Sequence, residues 1–205
     1  MLSLLLLVNT KTEVVTADMV AAAKELRKSE YGAHFLIVYH DLTTFREMYS
    51  QYVKAALKEN EIVLILPFYE TVNAVRQTLS GDSACIDVRK FEKEQSLLII
   101  DSIKGYFGTP EGLLPFVNKM VEYARTSDRN GVSVIGDMGA FFYYQKYGGL
   151  LDYETIALPT KFEGINLKGL CAYHKHDFNK KLSEKQKSTL LEHHGGRTIC
   201  LSPFF

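Results

Sequence analysis

Seven short apolar runs, separated by stretches of helical periodicity, restrict the fold of this chain more than any other feature. They are "FLIVY" (35–39), "IVLIL" (62–66), "ACIDV" (84–88), "SLLII" (96–100), "VSVIG" (132–136), "LKGLCAY" (167–173) and "TICL" (198–201). Several are continuously apolar, as strands buried on both faces are. Strands alternating with helices imply parallel pairing through right-handed crossovers. The expected architecture is a three-layer α/β fold, with a mostly parallel central sheet flanked by helices. No repeat, low-complexity segment or linker divides the chain, so residues 1–205 are read as one domain, with 1–30 as an N-terminal strand/helix extension.

Helix boundaries carry their own signals. "ADMVAAAKELRKS" is rich in good helix formers. Thr44 with Glu47 forms a capping-box pattern that places Thr44 at an N-cap, and Phe45, Met48, Tyr49, Tyr52, Val53 and Ala56 then share one face. Thr109-Pro110 is expected to open a long helix whose buried face is Leu113, Val117, Met120, Val121 and Ala124. Ser183 with Gln186 is a second capping box, on a helix that runs to Gly195. The opening "MLSLLLLV" has no basic flank and ends at Asn9-Thr10-Lys11, which suits a buried strand or packed arm better than a signal or a membrane span.

Charge excludes some partners. Lys plus Arg and Asp plus Glu both number 24, so no global field draws nucleic acid or anionic lipid. Neither direct nucleic-acid binding nor membrane association is expected. Cys85, Cys171 and Cys200 are too few and scattered for a disulfide framework. Apolar surroundings are expected for them, in a reducing cytoplasm.

The segment 34–52 has the outline of a nucleotide-binding strand–loop–helix, but its loop reads His40-Asp41-Leu42-Thr43-Thr44. No G-x-x-x-x-G-K-[ST] occurs in the chain, and Asp41 would repel a phosphate at that helix N-terminus. ATP hydrolysis of the P-loop kind is therefore not expected, no cofactor is implied, and no catalytic residues are assigned. Ligands of open α/β sheets sit at the carboxyl ends of the strands. A cleft lined by His40, Asp41, Thr43, Thr44, Phe68, Tyr69, Asp137 and Met138 would combine an apolar wall with a few polar groups. Asp101 and Asp137 end apolar runs; without a phosphate lysine, helix capping is preferred to Mg²⁺ binding for both. Glu154, in "LLDYET", is read as part of a solvated helix face.

Two further groups stand out. His174 and His176 would point to one face of a strand and Cys171 to the other, which breaks a simple C-x-x-H-x-H metal site. His174, His176, His193 and His194 remain weak metal candidates, and no metal is assigned. The aromatic run "FFYYQKYGG" makes Phe141, Phe142, Tyr143, Tyr144 and Tyr147 a candidate interface, either for homodimerisation or for a partner protein, with Gly148-Gly149 as a mobile element beside it.

The order of "HFLIVYHD…FREMYSQYVKAALKENEIVLILP", "SLLIIDSIKGYFG", "GVSVIGDMGAF" and "LCAYHKHDFNKKL…LLEHHGG" resembles the MEDS family, the methanogen/methylotroph sensory domain. The resemblance runs over roughly residues 30–202 and rests on order and spacing. His34 matches a histidine on the family's first strand. Asn60-Glu61-Ile62-Val63 matches a "GE-x-V" second strand without its glycine. Cys171, Tyr173, Phe178 and His193 or His194 match the late pattern, and Glu154 resembles an acidic position of a late helix. The resemblance implies a degenerate, RecA-like and KaiC-like fold without its phosphate loop, in an archaeal or bacterial signal-transduction protein. It further implies a non-hydrolytic sensory role and small hydrocarbon-like ligands, taken up here in the vacated nucleotide cleft. Two alternatives remain open: an interaction or dimerisation module with an empty cleft, and an atypical nucleotide- or metal-dependent enzyme.

Overall fold

The computed structural model describes residues 14–17 and 19–201; the apolar opening of the chain lies outside the described residues. Strand β1 (Val14–Ala17), helix α1 (Met19–Lys28), β2 (His34–Tyr39), α2 (Leu42–Lys58) and β3 (Ile62–Leu66) come first. They are followed by α3 (Val72–Ser80), α4 (Val88–Lys93), β4 (Leu97–Ile99), α5 (Ser102–Phe107), α6 (Leu114–Thr126) and β5 (Val132–Asp137). Next come α7 (Gly139–Tyr143), α8 (Tyr147–Asp152) and a π-helical turn (Tyr153–Ala157). β6 (Leu167–His174), α9 (Lys175–Lys181), α10 (Glu184–His193) and β7 (Thr198–Leu201) complete the described fold.

The strands form one sheet in the order β1-β7-β2-β6-β5-β3-β4. Every pairing is parallel. All six residues of β2 are buried, because alternate side chains enter two separate cores. Phe35, Ile37 and Tyr39 join the core beneath α1 to α4. Leu36 and Val38 join the opposite core, built with Val117, Met120, Phe141, Phe178 and Leu190. The three-layer α/β expectation is thus met.

Several boundaries differ from the sequence reading. Residues 84–88 form no strand: Cys85 takes a left-handed φ of 51°, and the Asp87 carboxylate accepts from Lys90 N–H at 3.0 Å to start α4. The seventh strand is β1, which no apolar run announced. Helix α2 begins earlier than expected, because Asp41 rather than Thr44 is its N-cap. The Asp41 carboxylate accepts from Thr44 N–H at 2.9 Å and from the Thr44 hydroxyl at 2.8 Å, leaving the threonine buried inside the first turn. Thr109-Pro110 lies in a turn closed by Gly112 N–H on Thr109 O at 3.1 Å; the proline that opens α6 is Pro115. Gly148-Gly149 sits inside α8 rather than in a loop. Cys85 is exposed, and only Cys171 of the three cysteines is fully buried.

Asn60 clarifies the missing family glycine. Its φ is +60°, in the left-handed region that asparagine tolerates better than other side-chain-bearing residues. The turn between α2 and β3 thus accommodates a left-handed residue without a glycine. It delivers Glu61, which is buried in an ion pair with Lys168 at 3.0 Å and accepts from Ser133 Oγ at 2.5 Å and Tyr31 OH at 2.9 Å.

Candidate functional site

On the α6 side of the sheet, four elements distant in sequence bring four side chains together. His34 opens β2 on the same face as Leu36. Cys171 lies on the adjacent β6, level with Leu36. His194 caps the C-terminus of α10. Glu154 is carried by the π-helical turn, in which Leu158 N–H reaches back five residues to Tyr153 O at 2.9 Å. Single π turns of this kind re-aim side chains and recur at functional sites. His34, Glu154 and His194 are fully buried and Cys171 nearly so. One ligand-capable atom from each lies within 4.8 Å of all the others.

Hydrogen bonding fixes how these groups face each other. His34 Nδ1 is 3.0 Å from Pro159 O, and His194 Nδ1 is 2.8 Å from Leu190 O. A carbonyl only accepts, so each Nδ1 carries the proton and each Nε2 presents its lone pair. Those two Nε2 atoms are 3.2 Å apart. Cys171 Sγ is 3.3 Å from His34 Nε2. Glu154 Oε1 accepts from Tyr173 OH at 2.6 Å, whereas Oε2 has no hydrogen-bond partner among the described residues. It lies 3.5 and 3.6 Å from the Nε2 atoms of His34 and His194.

Burial raises the Glu154 carboxyl, while the Tyr173 hydroxyl and positive charge at the His34 and His194 positions lower it, the balance lying below its ordinary range. Burial pulls His194 down to about 4 against the attraction of Glu154. The Cys171 thiol is pushed well up by burial and by Glu154. With both Nε2 atoms presenting lone pairs, the positive charge that would ionise this carboxylate has to come from elsewhere, and a cation among the four groups would supply it.

His34 and Cys171 also form part of the wall of a cavity of about 170 Å³ between the sheet and α6. Leu113, Val117, Met138, Leu158 and Phe162 supply most of its apolar surface. Gly169 sits under the Phe162 ring, where a Cβ would come within 2.9 Å of it. Tyr106 lines the same cavity, and its buried hydroxyl has no hydrogen-bond partner among the described residues.

The residues expected at the carboxyl ends of the strands are differently engaged. Asp137 is buried and accepts from Tyr39 OH and Gly139 N–H, each at 2.8 Å. Burial pushes its carboxyl up to about 7, against those two hydrogen bonds. Tyr69 donates to Asp177, and its ring lies 5.2 Å from His174. Phe68 packs 4.9 Å from the Tyr69 ring. Asp41 is occupied with Thr44, while His40 and Thr43 are exposed. Met138 is buried and belongs to the cavity instead. Asp101 caps α5, accepting from Lys104 N–H at 3.2 Å, as expected.

Of the weak metal candidates, only His194 joins the four-residue cluster. His193 Nε2 contacts Leu158 O at 3.1 Å. His174 ends β6, and His176 is carried by α9 rather than by the strand. Glu154 corrects the sequence reading outright: it is fully buried, not on a solvated face. The strand parity that set Cys171 apart from His174 was sound, but its partner on that face is His34 on the neighbouring strand. The aromatic run also divides. Phe141 and Phe142 are core residues, Tyr147 is half-buried, and Tyr143 and Tyr144 are 65% and 46% exposed.

A search of curated proteins finds no match. The family model for MEDS, described as the methanogen/methylotroph, DcmR sensory domain, matches residues 33–194, well over half of the chain. Of the residues that carried the resemblance in sequence, His34, Glu154, Cys171, Tyr173 and, of the two alternative histidines, His194 meet in space, whereas Glu61 pairs with Lys168. The chain belongs to the MEDS family of sensory domains.

Proposed function

We propose that this chain is a non-catalytic sensory module that binds a small, largely apolar molecule with one hydrogen-bonding group. The site is the cavity between the sheet and α6, rather than the cleft at the carboxyl ends of the strands. The observation that carries this reading is the unpaired Tyr106 hydroxyl in an otherwise mostly apolar cavity. A buried hydroxyl without a partner costs on the order of 1–3 kcal/mol, which a ligand bearing a donor or acceptor would recover. At about 170 Å³ the cavity compares with the roughly 150 Å³ engineered cavity known to accept benzene. The sensory role belongs to the family; the choice of site and of ligand class is ours.

A RecA-like origin without a phosphate loop is consistent with this reading. The sheet is parallel, and β2, an interior strand, runs through the two-residue connection His40-Asp41 into α2, which Asp41 caps. The groups that would face a nucleotide there are satisfied by one another, Tyr39 by Asp137 and Tyr69 by Asp177.

Native mass spectrometry of gently purified protein, followed by titration with benzyl alcohol and with ATP-Mg²⁺, tests the proposal. Benzyl alcohol should bind, and Val117→Phe, which fills the cavity, should weaken it at least tenfold. Tyr106→Phe should weaken it less, through the lost hydrogen bond alone. Binding of ATP-Mg²⁺ that is indifferent to Val117→Phe would return the site to the strand ends. No binding of either compound would overturn a ligand site in this cavity.

A further inference from the structure

We propose that His34, Glu154, Cys171 and His194 form a binding site for a divalent transition-metal ion of the Zn²⁺ class. This goes beyond the cavity reading: it concerns a different ligand, and it stands or falls separately.

Spacing is the first argument. An ion held tetrahedrally at about 2.0–2.1 Å by nitrogen and oxygen and about 2.3 Å by sulfur separates its ligand atoms by roughly 3.3–3.6 Å. Four of the six separations lie close to this: 3.2 Å between the two Nε2 atoms, 3.3 Å from His34 Nε2 to Cys171 Sγ, and 3.5 and 3.6 Å from Glu154 Oε2 to the two Nε2 atoms. The others lie within 4.8 Å. Hydrogen bonds account poorly for the same contacts. Two nitrogens whose protons are committed to Pro159 O and Leu190 O on their far sides have only lone pairs to offer each other at 3.2 Å.

The surroundings are those of metal ligands. Each imidazole donates its remote N–H to a backbone carbonyl, which fixes tautomer and ring plane as the outer shell of metal sites does. Tyr173 holds one oxygen of Glu154 and leaves the other, Oε2, buried and unpaired. That unpaired atom points independently to a missing positive partner. Charge balance agrees: a divalent ion with one thiolate, one carboxylate and two neutral imidazoles sums to zero, which suits a site without solvent. Binding displaces the proton of the Cys171 thiol, which leaves to solvent as the S–metal bond forms. Two nitrogens, one sulfur and one oxygen are a borderline donor set that favours Zn²⁺ over Mg²⁺ or Ca²⁺, both of which prefer oxygen cages.

Elemental analysis of the full chain, purified on a metal-free affinity resin, is the direct test. About one equivalent of zinc per chain is expected, as for an occupied structural site. Cys171→Ser and His194→Gln should each lower it at least tenfold, while the surface double variant His174→Gln/His176→Gln should retain it. Because core variants may fail to fold, cobalt titration of the unaltered protein provides the second arm. It should produce tetrahedral d–d bands and a thiolate-to-cobalt charge-transfer band at one equivalent. Less than a tenth of an equivalent of any transition metal, together with no such spectrum, would overturn the site. So would metal retained by both core variants. The cavity-filling Val117→Phe variant should keep its metal while losing benzyl alcohol, so failure of one proposal is distinguishable from failure of the other.

Discussion

Asp137 ends an apolar strand but is not the N-cap expected of it: the N-cap of α7 is Met138, without a side-chain cap. The Asp137 carboxylate accepts from the N–H of Gly139 instead. Yet it is buried and holds its proton to about pH 7. The folded carboxyl thus titrates above its ordinary value of 3.8, so the native state binds the proton more tightly than the unfolded chain does. Its contribution is fully present below about pH 4 and is lost as pH rises through about 7. The expected outcome is an unfolding free energy that falls from pH 5 to pH 8 more steeply in the unaltered chain than in Asp137→Asn, by an amount on the order of a few kcal/mol. Calorimetry at matched ionic strength checks it; parallel curves would mean that the carboxyl is ionised throughout. Glu154 was harder to place. Its neighbours in "LLDYETIAL" are apolar, but no local pattern announces a π turn, and without that turn the side chain would point elsewhere.

Among the elements, buried strands were easiest to read and isolated apolar runs least so. Six of the seven expected runs became strands, because continuous Val, Ile and Leu suit a surface covered on both sides. Residues 84–88 look alike in composition, but the Asp87 cap and the left-handed Cys85 turn them into the entry of a helix. Helix α10 was legible from its cap: Ser183 and Gln186 bond reciprocally, at 3.3 and 2.8 Å. Ser183→Ala should destabilise the chain by about 1 kcal/mol, read as a lower denaturation midpoint at unchanged slope; a neutral result would mean that packing through Leu190 holds the helix unaided.

For the whole molecule, the candidate site was not legible because its parts meet only through the assembled sheet. His34 and Cys171 are 137 positions apart, and His34 and His194 are 160 apart. Sequence proximity had instead drawn attention to His174 and His176, which the fold leaves at the end of β6 and on α9. The sheet order also ranks the strands by protection. Amides of β2 and β6, each paired on both sides, should exchange with solvent most slowly, and those of β4, a three-residue edge strand, much sooner. Hydrogen-exchange mass spectrometry would show this gradient, and uniform protection across the sheet would contradict it.

That strand order has a consequence during synthesis. β2 leaves the ribosome well before its two neighbours, β6 and β7, the last described strands to be made. A nascent chain must therefore carry "HFLIVY" without its native pairings for about 130 residues of elongation, on the order of ten seconds at common translation rates. During that interval the segment is an apolar strand with unpaired edges, the kind of surface through which incomplete chains aggregate.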